Sequence, residues 1–100
     1  MYTSGSIAFN AQMQIEAGAD ITAQTRLALH NMEQVLLASG SSLQHVVKTT
    51  VFLKDMDEFA QMNSVYAQVF GEHRPARSAV EVARLPRDAK IEIECVARAI

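Results

Sequence analysis

Two alternating runs near the C-terminus restrict this chain more than any other feature of it. Pro75-Ala76-Arg77-Ser78-Ala79-Val80-Glu81-Val82-Ala83-Arg84 and Lys90-Ile91-Glu92-Ile93-Glu94-Cys95-Val96 carry the two-residue period of strands. The segment Leu85 to Ala89 joins them, which predicts a hairpin. On the first strand Ser78, Val80 and Val82 share one side, and Arg77, Ala79, Glu81 and Ala83 the other. On the second, Ile91, Ile93 and Cys95 oppose Glu92, Glu94 and Val96. Laying the apolar sides together predicts a second face bearing Arg77, Glu81, Glu92 and Glu94. Such a face is either a solvated sheet surface or part of a site.

The earlier chain supplies what packs on these strands. Met1 to Phe9 favours extended structure, with Gly5 marking a bulge or a close approach by another stretch of backbone. Asp20 is placed to cap a helix, and Ile21, Thr25, Ala28, Leu29, Met32, Val35 and Leu36 form its apolar stripe up to Ser39-Gly40. Gln24, Arg26, His30, Glu33 and Gln34 lie off that stripe. A short turn at Ser41 to His45 leads into Val46 to Lys54, whose β-branched and nearly continuous apolar character suits an internal strand. Asp55 or Asp57 starts a second helix that Gly71 ends, with Phe59, Met62, Val65, Tyr66, Val69 and Phe70 as core packing. The order strand, helix, strand, helix, strand, strand predicts an α+β domain over residues 1–100, with two helices on one face of a four-stranded sheet. The other face would be wet or covered by another copy of the chain.

Composition narrows the functional classes. One hundred residues leave no room for a second core. Nine Lys and Arg against eleven Asp and Glu, with no basic run, disfavour nucleic acid, because phosphate backbones require clustered cations. The single cysteine, Cys95, excludes an internal disulfide and sits on the apolar side of its strand as an inert core thiol. No run reaches membrane-spanning length and no signal peptide is apparent, so the cytoplasm is the default compartment. His30 has no second ligand at metal spacing and reads as a solvated helix residue.

Several separated blocks, in order, carry a family resemblance. They are Thr3-Ser4-Gly5, the helix with Gln24-Thr25-Arg26 and Asn31, Val46 to Met56, Met62-Asn63 with Tyr66, Pro75-Ala76-Arg77-Ser78, Val82 to Pro86, and Ile91-Glu92-Ile93-Glu94. Together they resemble the RidA (YjgF/YER057c/UK114) family of reactive-intermediate deaminases over nearly the whole chain. The resemblance implies a chorismate-mutase-like fold with a mixed sheet, a homotrimer with clefts between subunits, and no metal or organic cofactor. It implies hydrolysis of 2-imino and enamine acids, such as 2-iminopropanoate and 2-aminoacrylate, to 2-keto acids and ammonia. By the same resemblance Arg77 holds the substrate carboxylate, Glu92 serves the hydrolytic water, and Ser4, Gly5, Ala79 and Asn63 line the pocket. The residue types suit this chemistry: a guanidinium grips a carboxylate at two points, and a partly buried glutamate can move the protons of imine hydrolysis.

Three departures from the family pattern accompany the resemblance. The chain begins after the N-terminal strand segment usual in the family. Ala79 stands where the family has cysteine, and Ser4-Gly5-Ser6-Ile7-Ala8 replaces its Ser-Gly-Gln-Ile-Pro. Two alternatives to the deaminase stay open: a module that binds small keto or amino acids without chemistry, and a translation inhibitor or ribonuclease.

Overall fold

The computed structural model describes residues 1–99; Ile100, the end of the expected span, lies outside the described residues. Helix α1 covers Ile21–Ala38, strand β1 Val46–Leu53, helix α2 Phe59–Phe70, strand β2 Ala76–Glu81 and strand β3 Ile91–Ala97. Short 3-10 turns at Leu43–His45, Met56–Glu58 and Pro86–Asp88 join them.

Helix α1 starts and stops where its sequence signals stand. The Asp20 carboxylate accepts the Ala23 N–H at 2.9 Å, satisfying one of the orphan donors of the first turn. At the other end Gly40, at φ +81°, turns the chain left-handed. Its N–H and that of Ser41 reach back to the carbonyls of Leu37 and Leu36 at 3.3 and 2.8 Å. The expected stripe is buried apart from Val35, which is 48% exposed. Gln24, expected off the stripe, is only 4% exposed. Its amide nitrogen donates to Ala19 O at 3.0 Å and its Oε1 accepts the Lys90 N–H at 2.9 Å, so both polar ends are satisfied inside.

The sheet corrects the expected hairpin. Strand order is β2-β1-β3, with β1 central, parallel to β2 and antiparallel to β3. Strands β2 and β3 flank β1 and do not pair with each other. The reason lies in the connections: α2 is a crossover helix, and a strand returning through a crossover lies parallel beside its predecessor. Beyond β2 the chain passes the end of β1, where Val82 N–H bonds Leu53 O and Lys54 N–H bonds Lys90 O, and enters β3 on the far edge. The anticipated fourth strand, Met1 to Phe9, is reduced to two isolated antiparallel bridges, Tyr2 with Val96 and Ser6 with Ile93.

Register decides the faces, and it also corrects the expected pairing of sides. Thr49 pairs with Arg77 and Val51 with Ala79 and Ile93, so these residues face the helices. Thr50, Ser78 and Glu94, like Phe52, Val80 and Glu92, point the other way. Arg77 and Glu92 therefore occupy opposite faces, and the single face bearing Arg77 with three glutamates does not form. Val80, expected in the core, is 42% exposed.

The main core lies between sheet and helices, where Val51, Leu53, Ile91 and Ile93 meet Leu29, Met32, Leu36, Met62 and Phe70. A second, smaller cluster of Ile7, Leu85 and Ala89 has Phe9, Ile15, Phe52 and Val82 packed against it. No helix among the described residues is long and apolar enough to cross a membrane.

Candidate functional site

Arg77 sits on edge strand β2 beneath α2, and one stripe of that helix builds its surroundings. Phe59, Asn63 and Tyr66 stand at i, i+4 and i+7, which places them on one side of the cylinder. Nη1 of Arg77 donates to Asn63 Oδ1 at 2.7 Å. The guanidinium carbon lies 4.6 Å from the centre of the Tyr66 ring and 5.3 Å from that of Phe59, within cation–π range of both. The Tyr66 hydroxyl is bonded at 2.8 Å to Thr49 Oγ1, which is fully buried.

No carboxylate among the described residues forms an ion pair with Arg77; the pairs found are Arg84 with Asp88 and Lys90 with Glu58. Of the five donors in its fork, one is spent on Asn63 among the described residues. The adjoining hollow, about 330 Å³, is lined also by Phe70, His73, Arg74 and Pro75. Burial pushes the Tyr66 phenol above its ordinary pKa, opposed by the Thr49 hydrogen bond and the Arg77 charge. It therefore stands uncharged beside the cation at neutral pH.

Glu92 belongs to a different place. On the face away from the helices its carboxylate lies against the backbone of Gly5, where a Cβ would come within 2.6 Å of Cδ and 2.9 Å of Cγ. The close approach at Gly5, expected from a backbone, is made instead by a side chain. A groove of about 540 Å³ opens here, lined by Gly5, Ser6, Phe9, Met13, Asn31, Arg87 and Glu92 among others. Asn31 secures its wall by donating from Nδ2 to the carbonyls of Ile7 and Phe9 at 3.0 and 2.9 Å.

The expected site residues consequently fall into two groups. Arg77 and Asn63 touch each other, and Gly5 and Glu92 touch each other. Ser4 is exposed between the two N-terminal bridges, and Ala79 is half-buried on the helix face, packed against the main core. Glu81 is placed outside both groups, its Oε1 accepting the Met56 N–H at 2.8 Å. Cys95 is buried with its thiol pushed up, chiefly by that burial, and Thr3 Oγ1 accepts its backbone N–H at 2.9 Å. Phe59, Tyr66 and Thr49 are the residues that sequence reasoning left in the core. Their signal is the i, i+4, i+7 stripe with a polar Asn63 in the middle.

Comparison with known proteins places the chain in a family. The family model described as Endoribonuclease L-PSP matches residues 1–99. The chain is 50% identical over 97 residues to a RutC family protein of Pyrococcus horikoshii, covering 97% of this chain and 77% of that protein. It is 49% identical over 98 residues to the 2-iminobutanoate/2-iminopropanoate deaminase of Escherichia coli K12, covering 95% of this chain and 76% of that enzyme. Among solved structures, yeast Mmf1 superposes with a TM-score of 0.94 at 40% identity, covering 99% of this chain and 78% of that one. E. coli TdcF with bound serine superposes at 0.88 and 45% identity, over 96% of this chain and 77% of that one. By sequence along its whole described length and by fold, the chain belongs to the RidA (YjgF/YER057c/UK114) family.

Proposed function

We propose that the protein hydrolyses short 2-imino and enamine acids to 2-keto acids and ammonia, in a cleft assembled from two copies of the chain. The observation that carries this reading is the Arg77 guanidinium, held by Asn63 and two aromatic faces and without a carboxylate partner among the described residues. A substrate carboxylate would complete it as a planar two-point pair. The relationship to a 2-iminobutanoate/2-iminopropanoate deaminase supports the choice of substrate, and serine bound to TdcF supports a pocket for a small amino-acid-like ligand.

The chemistry asks little more than positioning. An iminium carbon already accepts water; Glu92 takes a proton from that water as its oxygen bonds to C2, giving a carbinolamine. Returning the proton to nitrogen lets the C–N bond break with its electron pair on ammonia, while the remaining hydroxyl proton is lost to form the keto acid. An enamine such as 2-aminoacrylate enters the same route once C3 takes a proton from solvent, which gives the iminium. Holding the carboxylate fixes C2 relative to the water, which is how Arg77 would contribute to rate.

The experiment is decay of 2-iminopropanoate, generated in situ by an amino-acid oxidase, with and without the protein. Arg77→Ala is expected to lower kcat/KM at least about a hundredfold, and Arg77→Lys to recover only part of it. Equal, uncatalysed decay for wild type and Arg77→Ala would refute the deaminase, and saturable keto-acid binding without turnover would point to the binding module. The family description also names RNA cleavage, which a formal charge of −2 without a basic run does not favour.

A further inference from the structure

The residues around Arg77 close into a ring that no expected role accounts for. Thr49 and Arg77 are direct neighbours across the parallel β1–β2 pairing and face the same helix. Tyr66 spans from one to the other: its hydroxyl meets Thr49 Oγ1 at 2.8 Å and its ring lies 4.6 Å from the guanidinium carbon. Tyr66 is 7% exposed and Thr49 is fully buried, so neither end of the contact is diluted by water. Phe70 packs against the Tyr66 ring with centroids 4.7 Å apart and limits its tilt from behind.

We propose that Tyr66, locked by Thr49, is a positioning residue that holds the Arg77 guanidinium in its carboxylate-accepting pose. This deepens the proposed function and rests on Arg77 being the carboxylate grip. An arginine side chain on an edge strand has several rotatable bonds, and each lost rotamer must be offset before a substrate is held. A ring at cation–π distance accepts no hydrogen bond from the fork's edge, so it restrains the plane without consuming donors. Asn63 takes one donor and sets the rotation within that plane. The Thr49 bond keeps the phenol at fixed depth, and both hydroxyls would otherwise be buried without partners.

The test combines steady-state kinetics on 2-iminopropanoate with NMR of the Arg77 side-chain Nε–H, identified by its loss in Arg77→Lys. Tyr66→Leu is expected to raise KM about tenfold while kcat stays within about twofold. Tyr66→Phe keeps the ring and should restore KM to within about threefold of wild type, even where thermal stability falls. The ring-shifted Arg77 resonance should persist in Tyr66→Phe and fall, in Tyr66→Leu, to the smaller shift that Phe59 alone supplies. Should Tyr66→Leu not fold, Thr49→Val provides the second route: it frees the phenol, and KM should rise about threefold with broadening of the Arg77 signal. A Tyr66→Leu protein with lowered stability but unchanged KM would overturn the proposal, as would Tyr66→Phe behaving like Tyr66→Leu, or unchanged KM and Arg77 signal in Thr49→Val. If Arg77→Ala accelerates decay as wild type does, Arg77 is not the carboxylate grip and the reading on which this proposal rests fails. The NMR arm then still decides whether Tyr66 holds the guanidinium.

Discussion

Gly5 has its side-chain space already taken by Glu92, and the occupant decides what a substitution would do. The atoms nearest to an added methyl group would belong to the end of a flexible carboxylate, which can swing aside. Gly5→Ala should therefore change folding stability by less than about 1 kcal/mol. Under the proposed mechanism the displaced carboxylate would no longer reach the attacking water, and kcat should fall at least about tenfold. Thermal unfolding and imine decay measured on the same preparation check both halves. An unchanged kcat would remove Glu92 from the water's path. The sequence marked Gly5 as a close approach but assigned it to a backbone, because which group arrives depends on which face of β3 the segment crosses. The Arg77 cradle was hidden for another reason. Phe59 and Tyr66 repeat at helical spacing as core residues do, and only the register that brings Arg77 under α2 separates the two meanings.

Helix α1 shows how far pattern reading extends at the scale of an element. Its cap, its glycine stop and most of its buried stripe follow from local rules that need no tertiary information. Gln24 breaks the pattern because its partner, the Lys90 N–H, lies 66 positions away and exists only once β3 docks. The hairpin expectation failed in the same way: two alternating runs close in sequence signal strands, while pairing is decided by which edges of β1 the crossover leaves open. Thr25 offers a test of packing on this helix. It is fully buried, and its Oγ1 has no hydrogen-bond partner among the described residues. An unpaired buried hydroxyl costs about 1–3 kcal/mol, and valine matches its shape without that polar atom. Thr25→Val is expected to stabilise the protein by about 1 kcal/mol in urea unfolding with an unchanged m-value. A destabilised variant would mean that the hydroxyl is satisfied in solution.

Across the whole molecule the two halves of the candidate site cannot meet within one copy. Arg77 is level with Thr49 and Glu92 with Phe52, on strands either side of β1. Two inter-strand spacings and three residue rises put their backbones about 14 Å apart, with the side chains leaving from opposite faces. A substrate of three or four carbons spans far less, so Arg77 and Glu92 can act on one molecule only if different copies supply them. The open face, with Val80 at 42% and Tyr2 at 83% exposure, is available for such an association. Mixing inactive variants tests this directly. Arg77→Ala and Glu92→Gln proteins, each silent alone, are mixed in equal amounts under conditions that allow copies to exchange. Each cleft needs an intact arginine from one copy and an intact glutamate from its neighbour, so random assembly should return about a quarter of wild-type activity. The recovered activity should require exchange and should be absent when each assembly is cross-linked beforehand. If the mixture remains silent although mass measurement finds mixed assemblies, the shared cleft is wrong, and Arg77 and Glu92 do not serve one substrate.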